Sequence, residues 1–264
     1  MSQTIRALGT APFSRSALQE KIPEFLGLLA ERPFEDNHGG MRAPHLFATW
    51  VMVQALEPTH IVESGVFKGL GTWLLERAAP HARLYCIDPD PQSRLYHSSR
   101  AEYFTRDFSE LDWDLPRDKT LLFFDDHQDA LARVVLAERL GFVHLVFEDN
   151  YPSGRGDCYS LKKAFMGEPA PRRQNLLARA RHVFEGPSPA EREPARYLER
   201  TLETYFEFPP VRRAMTTRWA DAWSDERYPT PPALFDSPGE PSDPFVAEAR
   251  DYTWICYARL RAAR

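Results

Sequence analysis

Cysteine is scarce in this 264-residue chain, long apolar runs are missing, and there is no excess of basic charge. The three cysteines, Cys86, Cys158 and Cys256, are odd in number and widely spaced. That excludes a disulfide framework and a Cys-x-x-Cys metal motif, and it fits a reducing compartment. No stretch approaches the roughly 20 apolar residues of a membrane span, and the opening MSQTIRALGTAPFSRS has no apolar core of a secretory signal. A cytoplasmic protein without a membrane partner is expected. The 33 Lys and Arg are scattered and outnumbered by 38 Asp and Glu, giving a net charge of −5, so no basic stripe is available for nucleic acid. What is present is a 43% hydrophobic composition over a length that can bury a sizeable core, which excludes disorder and a miniprotein. Proline is plentiful, and 14 of the 23 prolines follow Asn150, so the second half cannot continue the first half's regular pattern.

Residues 16–31 carry Leu18, Ile22, Phe25, Leu26 and Leu29 on one helical face behind Ser14 and Ser16. A polar loop, Glu35 to Arg42, leads into a second helical pattern from Pro44 to Leu56. From His60 the pattern alternates. Apolar strands at 60–65, 82–88, 120–126 and 142–149 each end in acid, and helical segments at 69–78 and 127–140 stand between them. This predicts an α/β fold: a doubly wound, Rossmann-like, mostly parallel sheet with N-terminal helices. Ligands of such sheets bind beyond the carboxyl ends of the strands, where these acids converge. After Asn150, helices are expected at 160–166, 171–182 and 191–205, a proline-rich stretch at 228–244, and a last strand at 251–260 that returns to the sheet. The expected division is an N-terminal helical segment with an active-site loop, 1–57, and a main domain, 58–264, carrying a lid-like insertion at about 151–248.

The first strand runs through Glu63 into Ser64-Gly65-Val66-Phe67-Lys68-Gly69 and then a helix. Glycine lets a backbone turn tightly and approach a ligand, the helix start offers free N–H groups, and Asp88 follows at the spacing of a ribose-binding acid. The tight packing of any first strand-to-helix turn explains the same glycines. The pattern is not the GxGxxG of a dinucleotide fold. The acid-x-Gly-x-x-x-Gly turn of Glu63, Gly65 and Gly69 resembles the first motif of class I S-adenosylmethionine-dependent methyltransferases. Over residues 58–150 and the last strand, that resemblance implies a seven-stranded sheet with an antiparallel terminal hairpin. It implies that Glu63, Gly65 and Gly69 face the methionine part, that Asp88 holds the ribose, and that Asp107, in Arg106-Asp107-Phe108, lies at the adenine. Asp107 also reads as an exposed loop acid.

Phe123-Phe124-Asp125-Asp126-His127-Gln128 and Phe147-Glu148-Asp149-Asn150-Tyr151 end the next two strands. If these strands are neighbours, about 4.8 Å apart, up to four carboxylates and an imidazole crowd one sheet edge. Such charges raise one another's pKa unless a cation neutralises them, and oxygen ligands in this number suit Mg²⁺ or Ca²⁺, with Mn²⁺ admitted by His127. The plainer reading makes Asp126 the cap of a helix starting at His127, and Asp149 or Asn150 a turn residue before Pro152. The pair of segments resembles metal-dependent small-molecule O-methyltransferases of the macrocin and novobiocin type. That resemblance implies metal ligation by Asp125 or Asp126 with Glu148 and Asp149. The strand ends Asp-Asp-His and Glu-Asp-Asn depart from the usual pattern.

Three further candidates follow from residue chemistry. His127 is a candidate general base, metal ligand or exposed first-turn residue. Asp126 stands beside it as a catalytic candidate. Arg42, in the glycine-bearing loop, offers a guanidinium fork to a carboxylate. Residues 154–163 could form a wall in which Asp157, Tyr159 or Lys162 reaches inward, and a solvated loop accounts for them as well. The expected function is methyl transfer from S-adenosylmethionine to a hydroxyl of a small polar metabolite, a sugar or natural product, assisted by a divalent cation. The alternatives are a metal-dependent lyase, hydrolase or oxygenase on the same fold, and a non-catalytic ligand-binding protein. Association into a homo-oligomer is left open.

Overall fold

The structure is a computed structural model and describes residues 6–171, 188–237 and 239–262. Two helices come first, α1 (Arg15–Leu29), capped by the Ser14 hydroxyl, and α2 (Ala43–Leu56). β1 (His60–Ser64), α3 (Leu70–Ala78), β2 (Arg83–Ile87), β3 (Ala101–Phe104), β4 (Thr120–Phe124), α4 (Ala130–Leu140) and β5 (His144–Phe147) follow. After β5 come α5 (Leu161–Phe165), α6 (Pro189–Arg192), α7 (Pro194–Thr201), β6 (Leu202–Glu207), α8 (Pro244–Ala247) and β7 (Cys256–Leu260). The strands form one seven-stranded sheet in the order β3-β2-β1-β4-β5-β7-β6, with β1 to β5 parallel and β7 antiparallel to both neighbours. The Rossmann-like, mostly parallel sheet and its antiparallel terminal hairpin are therefore present.

Both faces of the sheet are covered, which explains why the central strands read as continuous apolar runs rather than alternating ones. The pleat still sorts them. Ile61, Leu121, Phe123 and Val146 face α1, α2 and α3, whereas Val62, Leu122, Phe124 and Leu145 face α4 and α5. Burying both sets is the main stabilisation of the fold, at about 1.5–3 kcal/mol for each large apolar side chain.

Three local expectations change. The helix after β4 begins at Ala130, where the Asp129 carboxylate accepts Ala132 N–H at 3.0 Å. Asp126 is therefore not its cap, and His127 lies outside it in the left-handed region at φ 52°. The helix expected at 191–205 ends at Thr201. Its remainder is β6, whose aromatic residues Tyr205 and Phe206 pair across to Ala258 and Tyr257 and outweigh the weak helical spacing. The last strand is confined to Cys256–Leu260. The helix expected at 171–182 falls, apart from Pro171, outside the described residues. β6 lies within the stretch 151–248, so the chain returns to the sheet once before its proline-rich excursion.

Candidate active site

The acids converge because parallel strands end together. Ser64 O accepts Asp125 N–H at 2.8 Å, Phe124 O accepts Glu148 N–H at 2.9 Å, and Ile87 O accepts Gly65 N–H at 2.9 Å. Gly65 has φ 94°, and a Cβ there would lie 2.0 Å from the Asp125 carbonyl oxygen, so only glycine lets the β1 turn close against the end of β4. Above these ends lie two adjoining cavities. One, of about 430 Å³, runs from Gly65 and Asp88 past Asp107 to Asp126 and Arg133. The other, of about 160 Å³, lies between Arg42, Glu148, Asp149, Tyr151 and Arg218. Gly39, Gly40, Asp125 and His127 line both and form their common wall. The larger falls within the roughly 300–1,000 Å³ of pockets for drug-sized ligands, and the smaller suits a compact molecule.

Asp88 meets the larger cavity, but its carboxylate is partly engaged. Oδ2 accepts Val66 N–H at 3.1 Å and Phe67 N–H at 2.7 Å, and Oδ1 accepts Asp90 N–H at 2.8 Å. These bonds fix the glycine turn, and a carboxylate's further lone pairs can still accept from a diol. Asp107 is clamped by Arg133, whose two terminal nitrogens donate at 3.0 and 2.5 Å, and Asp107 also accepts Ser109 N–H. Burial opposes the ionised form, yet Arg133 and Ser109 together hold the Asp107 carboxyl well below the usual range. Gly69 shapes the turn at φ 90° as the N-terminal flank of α3 and does not line the cavity.

Glu63 corrects an expectation. It does not face the larger cavity but is 1% exposed beneath α3, accepting hydrogen bonds from Thr72 Oγ1 at 2.5 Å and Cys86 Sγ at 3.3 Å. Burial pushes its carboxyl up to about 7, against those two hydrogen bonds. Asp126 is likewise turned away from the cation candidates. Its Oδ2 accepts from Ser64 Oγ at 2.8 Å and from Arg133 at 2.6 Å, so it joins β1 to α4 along the floor of the larger cavity.

Among the described residues the group able to hold a metal is Asp125, His127 and Asp149, each offering one donor atom, all within 4.8 Å of one another. His127 Nδ1 stands 3.3 Å from Asp149 and 3.0 Å from Asp157. Burial disfavours the imidazolium, but Asp149, Asp157 and Asp126 outweigh it and raise the His127 pKa. Burial raises the Asp125 carboxyl too, reinforced by Glu148, Asp149, Glu63 and Asp126. Oδ1 of Asp149 is buried without a hydrogen-bond partner among the described residues. A carboxylate oxygen taken out of water without a partner is costly, and a cation satisfies it, so oxygen-rich ligation with one imidazole fits Mn²⁺ or Mg²⁺.

Glu148 differs from its expected place as a direct ligand. It is buried against His45, whose Nδ1 contacts Oε1. Since Thr253 N–H donates to His45 Nε2 at 2.9 Å, the imidazole proton is on Nδ1 and is given to Glu148. Burial keeps His45 neutral, with a pKa lowered to about 4. Burial and the charge of Asp149 raise the Glu148 carboxyl. Arg42 is tied to Glu248 at 3.1 Å and Asp251 at 3.6 Å, closing the loop 35–42 over the smaller cavity. His45, Arg133, Tyr151 and Arg218 escaped sequence reasoning, because no local motif marks them and, Asp126 beside Arg133 apart, their partners are remote in the chain.

No family model matches the chain, and no curated protein matches it. Solved structures similar to it include an O-methyltransferase from Bacillus cereus in complex with SAH, at 11% identity, covering 95% of this chain and 93% of that one, with a TM-score of 0.43. Another is the O-methyltransferase TomG from Streptomyces achromogenes, involved in tomaymycin synthesis, in complex with SAM, at 13% identity, 97% and 92% coverage and a TM-score of 0.45. A third is described as cmcI-D160 Mg-SAM, at 18% identity, 56% and 73% coverage and a TM-score of 0.36. At such low identity and partial superposition these likenesses carry no argument about activity, which rests on the chain's own site.

Proposed function

We propose that this protein transfers a methyl group from S-adenosylmethionine to a hydroxyl of a small polar molecule, with a divalent cation at the hydroxyl. The observation that carries this reading is the junction of the two cavities: Asp125 and His127 line both the cofactor-sized cavity and the smaller one, and Asp149, with one unpaired buried carboxylate oxygen, meets them from the smaller. The larger cavity would take the cofactor, with Asp88 at its ribose and the Gly65 turn at its methionine part. The smaller would take the acceptor.

When bound, the sulfonium supplies the activated methyl and the cation lowers the pKa of the acceptor hydroxyl. The chain's own residues orient the two molecules for in-line displacement and exclude water, which is where most of the acceleration of such a transfer arises. We assign His127 to the cation rather than to proton abstraction, because a ring nitrogen of it lies with carboxylate oxygens of Asp125 and Asp149, all within 4.8 Å of one another. Asp157 orients the ring. His45 holds Glu148 at the edge of the smaller cavity, where its carboxylate would take the proton that the hydroxyl gives up as the O–CH3 bond forms and the S–CH3 bond breaks, releasing S-adenosylhomocysteine.

Calorimetry of the full chain tests this. S-adenosylhomocysteine is expected to bind, and Mn²⁺ to bind in its presence. Asp149→Asn is expected to weaken Mn²⁺ by at least tenfold while S-adenosylhomocysteine binding stays within about twofold. Absence of S-adenosylhomocysteine binding would sink the reading, and undiminished Mn²⁺ affinity in the variant would sink its cation.

A further inference from the structure

Two guanidinium groups reach the smaller cavity, and they differ in state. Arg42 is paired with Glu248 and Asp251. Arg218 has no carboxylate partner among the described residues. Its one hydrogen bond among the described residues runs from Nη1 to the Tyr151 hydroxyl at 3.0 Å, and its guanidinium carbon lies 5.9 Å from that ring's centre.

The backbone that presents Arg218 is firmly built. Thr216 and Ala222 form an antiparallel bridge, Thr217 N–H donates to Asp221 O at 2.9 Å, and Trp223 N–H donates to Met215 O at 3.0 Å. Thr217 is buried, and Trp219 and Trp223 pack on Trp254 with ring centres 6.3 and 5.4 Å apart. Asp221 in the same hairpin holds Arg155, which follows β5, and the Tyr228 hydroxyl at 2.9 Å. A hairpin whose Trp219 and Trp223 pack on Trp254 thus holds Arg218, exposed to solvent, at the wall of the cavity. Such preorganisation lowers the entropy lost when a ligand is gripped.

The cavity is electrically polar. Asp125, Asp149 and His127, the group able to hold a cation, line it together with Arg218, whose guanidinium has no carboxylate partner among the described residues. A neutral polyol would leave the guanidinium without a counter-charge, and a cationic ligand would be repelled by it. A molecule with a hydroxyl at one end and a carboxylate at the other satisfies both sides and is oriented by them.

We propose that Arg218 is the specificity-determining residue that binds the carboxylate of a small hydroxylated acid, whose hydroxyl is thereby directed at Asp125, His127 and Asp149. This rests on the methyl-transfer reading only for the statement that the smaller cavity is the acceptor site.

The full chain, saturated with S-adenosylhomocysteine and Mg²⁺, is titrated calorimetrically with two acid and methyl-ester pairs, those of 3,4-dihydroxybenzoate and of glucuronate. The acid of at least one pair is expected to bind about tenfold to a hundredfold more tightly than its ester, the range of a charge-assisted hydrogen-bond pair. Arg218→Gln is expected to bring the acid down to the ester's affinity, leaving the ester and S-adenosylhomocysteine unchanged, and Arg218→Lys to restore part of the preference. Equal affinity for acid and ester in both pairs, no binding of either, or a preference that survives Arg218→Gln overturns the proposal. So does an equal loss of acid and ester in that variant, which would make Arg218 a prop for Tyr151. If S-adenosylhomocysteine itself gives no heat, the methyl-transfer reading fails. The same titrations on the cofactor-free chain then decide the anion site alone, an Arg218-dependent preference for acid supporting it and its absence overturning it.

Discussion

Glu63 shows how a residue can be correctly singled out in a sequence for the wrong reason. Its place at the end of the first strand suggested contact with cofactor, whereas its carboxyl is buried under α3 with Thr72 and Cys86. Burial raises its pKa from 4.5 to about 7, so the folded chain keeps a proton that the unfolded chain releases between those values. Stability from this group is therefore present below about pH 4.5 and is lost as pH rises toward 7, by ~3 kcal/mol. Glu63→Gln removes the proton exchange. Urea denaturation is expected to find the variant equal to the parent near pH 4.5 and more stable by about 3 kcal/mol at pH 8, and a pH-independent difference would refute the assignment. The acids of the site were legible as single residues because strand ends mark them. Their division of labour was not. Asp126 is drawn to Arg133, and Glu148 to His45, 103 residues away, and neither pairing leaves a local trace.

The alternation of strand and helix was legible at the scale of elements because apolar runs of strand length are set off by acids, glycines and capping residues. Boundaries were less so. Asp126 and Asp129 are both plausible caps in Asp-Asp-His-Gln-Asp, and only the latter accepts the helix N–H groups. Asp129→Ala is expected to cost about 1 kcal/mol in denaturant unfolding, with S-adenosylhomocysteine binding retained. A loss of that binding without a loss of stability would count against the capping role. The Gly65 turn makes the stronger demand, since a Cβ there meets the Asp125 carbonyl at 2.0 Å. Gly65→Ala is expected to cost about 3 kcal/mol or more and to abolish S-adenosylhomocysteine binding. Gly154→Ala, also at positive φ but with open space around it, should cost only about 1 kcal/mol. Thermal unfolding of the two variants side by side checks the contrast, and equal losses would show that the collision at Gly65 relaxes.

The whole molecule must hold a long, proline-rich excursion against a sheet whose strand ends are crowded with negative charge. The excess of proline located that excursion in the sequence, but nothing in the sequence said how it is fastened. The fastening includes a buried ion pair: Lys162 Nζ in α5 donates to both oxygens of Glu207 in β6, at 2.8 and 2.7 Å, and to the Pro229 carbonyl at 2.7 Å. Tyr205 Oη adds a further bond to Glu207 at 3.2 Å. One ammonium thus joins the helix after β5, the edge of the sheet and the excursion itself, and its three donors are all used. Burial raises the Glu207 carboxyl despite the opposing effect of Lys162, so removing the lysine leaves an acid that must either stay charged and unpaired or take up a proton. Lys162→Met is accordingly expected to destabilise the protein by about 3–5 kcal/mol at neutral pH, and by less at pH 5, where Glu207 can be protonated. The double variant Lys162→Met with Glu207→Leu should recover most of that loss, because an apolar pair of similar volume carries no desolvation penalty. Denaturant unfolding of the parent, both single variants and the double variant measures the coupling directly. A double variant no more stable than Lys162→Met would mean that the Pro229 contact, rather than the ion pair, fastens the excursion.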